Sequence, residues 1–254
     1  MAAPQKLING LTDLGMEKMQ EYLDHYSELV NKGNKSFSEA LEELVEIEKK
    51  NKQVRRDAIN LHIANYPFIK TFDDFDFDFQ PNLNKKEILE LSKLGFVENK
   101  ENVIFVGTSG VGKTHLATAL GICCTKARFQ TYFITFENLI TQLKKAFLEN
   151  RLESRLKFFS KYKVLIIDEI GYMPIDSDTA NIFFQLIAKR YEKNSTIITT
   201  NMPFSKWGEF FGSATLANAV LDRLLHHSEI ISIKGPSYRI KDKRLVLEAQ
   251  AAEE

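Results

Sequence analysis

Two different rhythms of apolar residues divide the chain. Up to about residue 65 they recur at helical spacings of three and four, with Met16, Met19, Leu23, Tyr26 and Val30 on one face. Residues 31–34, with a glycine and two asparagines, predict a turn. Ser36-Phe37-Ser38-Glu39 then reads as a capping box, Ser36 at the cap and Glu39 reaching back. The helix behind it carries Phe37, Leu41, Leu44 and Ile47 on one face and turns charged over 48–56. Proline discourages helix in the residue before it, so Ala64-Asn65-Tyr66-Pro67 is the expected joint. Residues 1–66 therefore predict a small all-helical N-terminal domain.

From about residue 102 the pattern changes. Short, largely apolar runs at 103–106, 131–135, 164–167, 196–199 and 230–233 alternate with amphipathic stretches. Apolar runs without alternation are strands buried on both faces, so the prediction is an α/β fold with a parallel five-stranded sheet flanked by helices. This second domain is expected over 67–244, with 245–254 a disordered tail. Between the two regions, TFDDFDFDFQ at 71–80 alternates aromatic and acidic residues, which favours an extended segment with one packed face. The same aromatics would also suit a nucleotide-base pocket.

Composition changes this picture little. The 34 basic and 34 acidic side chains cancel, so any nucleic-acid surface must come from local clustering. No apolar run is long enough to cross a membrane, and MAAPQKLING lacks the basic-then-apolar order of a secretory signal. Cys123 and Cys124 are adjacent, an arrangement that seldom forms a disulfide, and two cysteines make no zinc framework. Buried thiols in a reducing compartment, the cytoplasm, are expected.

The candidate chemistry lies after the first strand. Gly107-Thr108-Ser109-Gly110-Val111-Gly112-Lys113-Thr114 matches G-x-x-x-x-G-K-[ST] in full, between a strand and a helix as the motif requires. Its glycines let backbone N–H groups turn inward onto phosphate oxygens, and the helix N-terminus adds its dipole. Lys113 is expected on the β and γ phosphates and the Thr114 hydroxyl on Mg²⁺. The run 164–167 ends in Asp168 and Glu169, where ligands bind in doubly wound sheets. Asp168 is the candidate Mg²⁺ ligand and Glu169 the group that polarises the attacking water. Asn201, after Thr199-Thr200, offers an amide to orient that water. None of the Asn-Lys pairs precedes the aspartate of guanine recognition, and no small-molecule kinase signature is present, so the expected nucleotide is ATP.

IFVGTSGVGKTHLA at 104–117, DEIGYMP at 168–174, TTNMPFSKWGEFF at 199–211 and LDRLLHHSEIISIKGPSYR at 221–239 together resemble the helicase-loader and initiator clade of AAA+ ATPases. They are most similar to the IstB-like transposition helper ATPases, with likeness from about residue 64 to 244 and a looser one before it. DnaC-type helicase loaders share GKTHLA and the SYR ending and stay open as an alternative, whereas Trp207 and Gly235 favour the transposition helpers. The resemblance implies an ATPase that forms homo-oligomers with ATP at subunit interfaces, acts on duplex DNA and recruits a cognate transposase. It places Arg223 as an arginine finger reaching a neighbour's ATP, His115 with the phosphate loop as a nucleotide-binding residue, and Arg239 at a second sensing position on the nucleotide. The short C-terminus puts that last role in doubt.

Over 137–163, seven basic residues stand against three acidic ones, a net charge of +4. Lys144, Lys145, Arg151, Arg155 and Lys157 lead this group, at the place of the clade's DNA-contacting helical insertion. Such a surface gives salt-sensitive, sequence-independent binding; a solvated helix face is the alternative. The segment 234–244, rich in lysine and arginine, is a second candidate. His226 and His227 attract attention as a metal pair, but helical neighbours diverge by about 100°, which argues against joint coordination.

Overall fold

The computed structural model describes residues 4–172 and 174–241. The expected tail at 245–254, and Lys243 and Arg244 of the second basic segment, lie outside the described residues. The chain forms two compact units, one through Asn60 and one from Leu61.

The first unit contains α1 (Gln5–Asp13), α2 (Glu17–Asn31) and most of α3 (Phe37–Ile63). Leu11, Met19 and Leu44 form its small core, with Met16, Leu23 and Tyr26 packed against them. The capping box is made as expected: Ser36 N–H donates to Glu39 at 2.8 Å, and Glu39 N–H donates to Ser36 Oγ at 3.3 Å. Of the apolar face expected on α3, Leu44 is buried but Phe37 and Leu41 are exposed. α1 and α2 are too short to cover a helix of 27 residues along its length. Glu48, read from sequence as the start of a solvated stretch, is buried instead. Its carboxylate accepts from the N–H groups of Lys18 and Met19 at 2.8 and 2.9 Å, closing the open N-terminus of α2.

The second unit adds α4 (Lys85–Leu91), α5 (Gly95–Glu98), β1 (Asn102–Gly107), α6 (Lys113–Lys126), β2 (Thr131–Thr135), α7 (Phe136–Leu148) and α8 (Leu152–Ser160). Then come β3 (Val164–Ile170), α9 (Ser177–Arg190), β4 (Ser195–Thr200), α10 (Trp207–Phe210), α11 (Ala214–Leu225) and β5 (Ser228–Ile233). All strand pairs are parallel, in the order β2-β3-β4-β1-β5. Side chains alternate between two cores. Ile104, Leu165, Ile167 and Ile198 enter one, while Val103, Phe105, Val164, Ile166 and Ile197 enter the other. Burial on both faces is why β1, β3 and β4 read as apolar runs, whereas the edge strand β5, expected to be covered in the same way, leaves Glu229, Ile230 and Ser232 exposed. β1 connects towards one edge of the sheet and β4 towards the other, which opens a crevice beyond their C-terminal ends.

Two expectations change here. Residues 71–80 form no strand but a succession of tight turns. Their aspartates accept local backbone N–H groups, Asp74 from Thr71 at 2.7 Å and Asp76 from Phe79 at 3.0 Å, and this side-chain chemistry competes with extended structure. Also, β3 does not end on the carboxylate pair Asp168-Glu169. It continues to Ile170 through a register shift against β4, with Glu169 at φ +65°.

Trp207, Phe210 and Phe211 are buried together beside α11, and Trp207 has no exposed surface. Cys124 is buried and Cys123 half-buried, both as free thiols. No helix among the described residues is long and apolar enough to cross a membrane.

Candidate functional site

The crevice is a cleft of about 480 Å³. Ser109 to His115, Asp168, Glu169, Asn201 and Arg239 line it, together with Phe68, Asp74, Phe75, Tyr172, Thr199 and Tyr238. Gly107 and Thr108 stand behind it and receive the Lys113 ammonium, whose Nζ donates to both carbonyls at 2.7 Å. The loop 107–112 thus joins β1 to α6 as the sequence predicts, and α6 begins at Lys113.

The glycines at 110 and 112 are fixed by close approach as well as by backbone conformation. Gly110 has φ +81°, and a Cβ on it would lie 2.0 Å from Ser237 Oγ. Gly112 has φ +100°, and a Cβ there would meet the Phe75 ring at 2.5 Å. Tyr238 N–H donates to the Gly110 carbonyl at 2.9 Å. The loop is therefore clasped from both sides, by the 71–80 turns and by the segment after β5.

Asp168 is the hub of the polar cluster. Thr114 Oγ1 donates to its two oxygens at 3.0 and 3.1 Å, and Thr199 Oγ1 donates at 2.5 Å. Burial pushes its carboxyl above the usual range, and the two threonine hydroxyls and Lys113 pull it back. Burial also lowers the Lys113 ammonium, against the attraction of Asp168 and Glu169. Thr199 Oγ1 accepts from the Glu169 backbone N–H at 2.9 Å, so one hydroxyl holds both carboxylate residues. Glu169 itself is exposed at the mouth of the cleft. The Asn201 amide oxygen is buried beside Gly171 without a hydrogen-bond partner.

His115 lines the cleft with its ring already engaged: Nε2 lies 2.8 Å from the Thr71 carbonyl, and the ring meets Phe75 edge-on at 5.2 Å. Burial lowers its pKa, favouring the neutral ring. Arg223 does not line the cleft. It sits on α11, with Nη1 donating to the Ala219 carbonyl at 3.0 Å and its guanidinium over Phe184 at 4.7 Å.

The basic residues of α7 and α8 also lie away from the cleft. Lys145, Arg151 and Arg155 line a shallow concavity between the helices, beside the exposed Phe147 and Leu148. Arg155 stacks over Phe158 and Phe159 at 4.5 and 4.8 Å. Lys157 is exposed. Lys144 pairs with Asp176 at 2.8 Å and Arg151 with Glu149, so part of the local charge is already neutralised.

Sequence reasoning singled out neither Thr199 as the hub partner nor Phe75 and Ser237 as the clasp. Thr199 acquires its role only through the β3–β4 register, and Ser237 only through the return of the chain from β5; neither leaves a local signal.

The strand order, the loop between β1 and α6 and the carboxylates on β3 define a P-loop protein of the AAA+ class. The chain belongs to the family of IstB-like ATP binding proteins, whose model matches residues 9–246. It is 49% identical, over 94% of its length and 95% of the relative's, to the insertion sequence IS232 ATP-binding protein of Bacillus thuringiensis subsp. berliner. Its identity to the insertion sequence IS21 ATP-binding protein of Pseudomonas aeruginosa is 45%, over 92% of this chain and 88% of the relative. The crystal structure of the DnaC helicase loader is similar at 28% identity and a TM-score of 0.52, over 59% of this chain and 87% of that one. Nucleotide binding and an association with insertion sequences follow from the family; the helicase loaders share the fold at lower identity.

Proposed function

We propose that the protein is an ATP-hydrolysing regulator of insertion-sequence transposition that assembles on duplex DNA and recruits its transposase. The observation that carries this reading is the convergence of Lys113, Thr114, Asp168, Glu169 and the unpartnered Asn201 amide on one cleft. It occurs in a chain whose relatives are ATP-binding proteins of insertion sequences.

A hydroxyl and a carboxylate 3.0 Å apart are hard oxygen donors of the kind Mg²⁺ accepts, so Thr114 and Asp168 fit as its holders. When bound, Mg²⁺ neutralises charge on the β and γ phosphates. Lys113 adds a positive charge to the same oxygens, and N–H groups of the loop 107–112 and the start of α6 orient them. Glu169, free of the sheet ladder and facing the cleft, takes the proton of the attacking water, while the Asn201 amide fixes that water's direction. Arg239 lines the cleft of its own chain and reads the nucleotide there. Arg223, directed away from that cleft, acts on the ATP of an adjacent subunit, where its planar charge stabilises the transition state. Lys145, Arg151, Arg155 and Lys157 grip the DNA backbone, with Lys144 as a reserve held by Asp176.

Glu169→Gln tests the reading. ATP hydrolysis should fall by about 10²- to 10⁴-fold with ATP binding kept, and the ATP-dependent complex on duplex DNA should outlive that of the wild type. Equal dissociation rates from DNA would count against the proposal.

A further inference from the structure

The edge of the sheet opposite the cleft holds a cluster that nucleotide chemistry does not use. β1 and β5 start there, and Asn102 N–H donates to the His227 carbonyl at 2.8 Å. His226 caps α11 with helical backbone angles and His227 lies one residue beyond it, yet the divergence expected of helical neighbours does not keep their side chains apart. Their rings come together, with centroids 3.9 Å apart and planes inclined at 44°. Glu192, from the turn between α9 and β4, brings Oε1 to 3.8 Å from His227 Nε2. One ligand atom from each of the three residues lies within 4.8 Å of the others. The Tyr191 hydroxyl is 2.6 Å from His226 Nδ1. That contact leaves Nε2 for coordination and orients the ring, as outer-shell partners orient metal-bound imidazoles.

We propose that Glu192, His226 and His227 form a binding site for a divalent transition-metal ion of the Zn²⁺ type. Two imidazoles and one carboxylate are a set that zinc takes with one position left for water. Imidazole nitrogen selects such ions over Mg²⁺ and Ca²⁺, which prefer an all-oxygen shell. Tetrahedral bonds of about 2.0–2.2 Å bring ligand atoms to about 3.3 Å from one another. All three side chains are exposed, and their ligand atoms start within 4.8 Å of one another. The bound ion ties the end of α11 to the α9–β4 turn and so stiffens the helix that carries Arg223.

The test uses the full chain, stripped by a chelator and titrated with Zn²⁺ in saturating Mg²⁺ by calorimetry, with thermal melts alongside. One Zn²⁺ per chain and a rise in Tm are expected for the wild type. The double variant His226→Ala/His227→Ala, checked for folding by circular dichroism, should bind on the order of a hundredfold more weakly, and Glu192→Gln about tenfold. Asp168→Asn should bind as the wild type does. Absence of saturable binding by the wild type, or undiminished binding by the double variant, overturns the site. Loss of binding in Asp168→Asn assigns the ion to the cleft and overturns it equally.

Discussion

Asp168 lies among apolar strands and still accepts two threonine hydroxyls. Its folded pKa is raised by burial, so the protonated form is the one folding favours. The stabilisation that protonation gives is fully present below the unfolded carboxylate pKa and is lost as pH rises through the folded value. At neutral pH the charged Asp168 therefore costs the nucleotide-free protein stability. Asp168→Asn, which keeps an acceptor for one hydroxyl and carries no charge, should raise the nucleotide-free Tm by a few degrees at pH 7 and by less near pH 4. It should also abolish Mg²⁺-dependent hydrolysis, a trade between stability and activity. Paired melts at the two pH values check this; a lower Tm at pH 7 would refute it. The candidate carboxylates were legible because an apolar run ends on them. Thr199, which binds one carboxylate and the backbone of the other, was not. Its neighbours in sequence say nothing about which strand lies beside it.

Among the elements, legibility followed burial. Strands covered on both faces announced themselves as apolar runs, and the helices between them as amphipathic stretches. The 71–80 segment misled because its alternating carboxylates serve turns, and α11 misled at His226 because its end carries no glycine or proline to mark it. Arg190 exposes a link between elements that no pattern foretold. Fully buried, it donates to the carbonyls of Phe159, Tyr162 and Ser195 and to Thr196 Oγ1. It thereby locks the end of α8 to the start of β4. Burial alone pulls its pKa down to about 9, so it stays charged at neutral pH. Arg190→Ala removes that lock and leaves several carbonyls without donors, which should cost about 3–5 kcal/mol. Chemical denaturation reads the loss, and a change below about 1 kcal/mol would mean the carbonyls find other donors.

For the whole molecule, the placement of Arg223 away from its own cleft gives the assembly reading a sharp consequence. Mixing Arg223→Ala chains with Glu169→Gln chains pairs an intact cleft on the first with an intact guanidinium on the second. If the arginine works across a subunit boundary, the mixture should recover hydrolysis of the order of a quarter to a half of wild type while each variant alone stays near background. A mixture no more active than the sum of its parts would locate Arg223's effect within its own chain. The sequence carried the class of fold and the residues of the phosphate loop. The expectation of assembly came only through resemblance, because a surface that would meet another chain obeys no periodicity within its own.

The single tryptophan, Trp207, is packed wholly inside the second unit against Phe204 and Phe211, under the helix that bears Arg223. The first unit has none. Intrinsic indole emission is therefore a private optical channel for the second unit, while far-ultraviolet dichroism weighs the helix-rich first unit as well. Followed together through a urea ramp, the two signals report whether the halves of the chain melt in concert or in turn, with no dye or label attached.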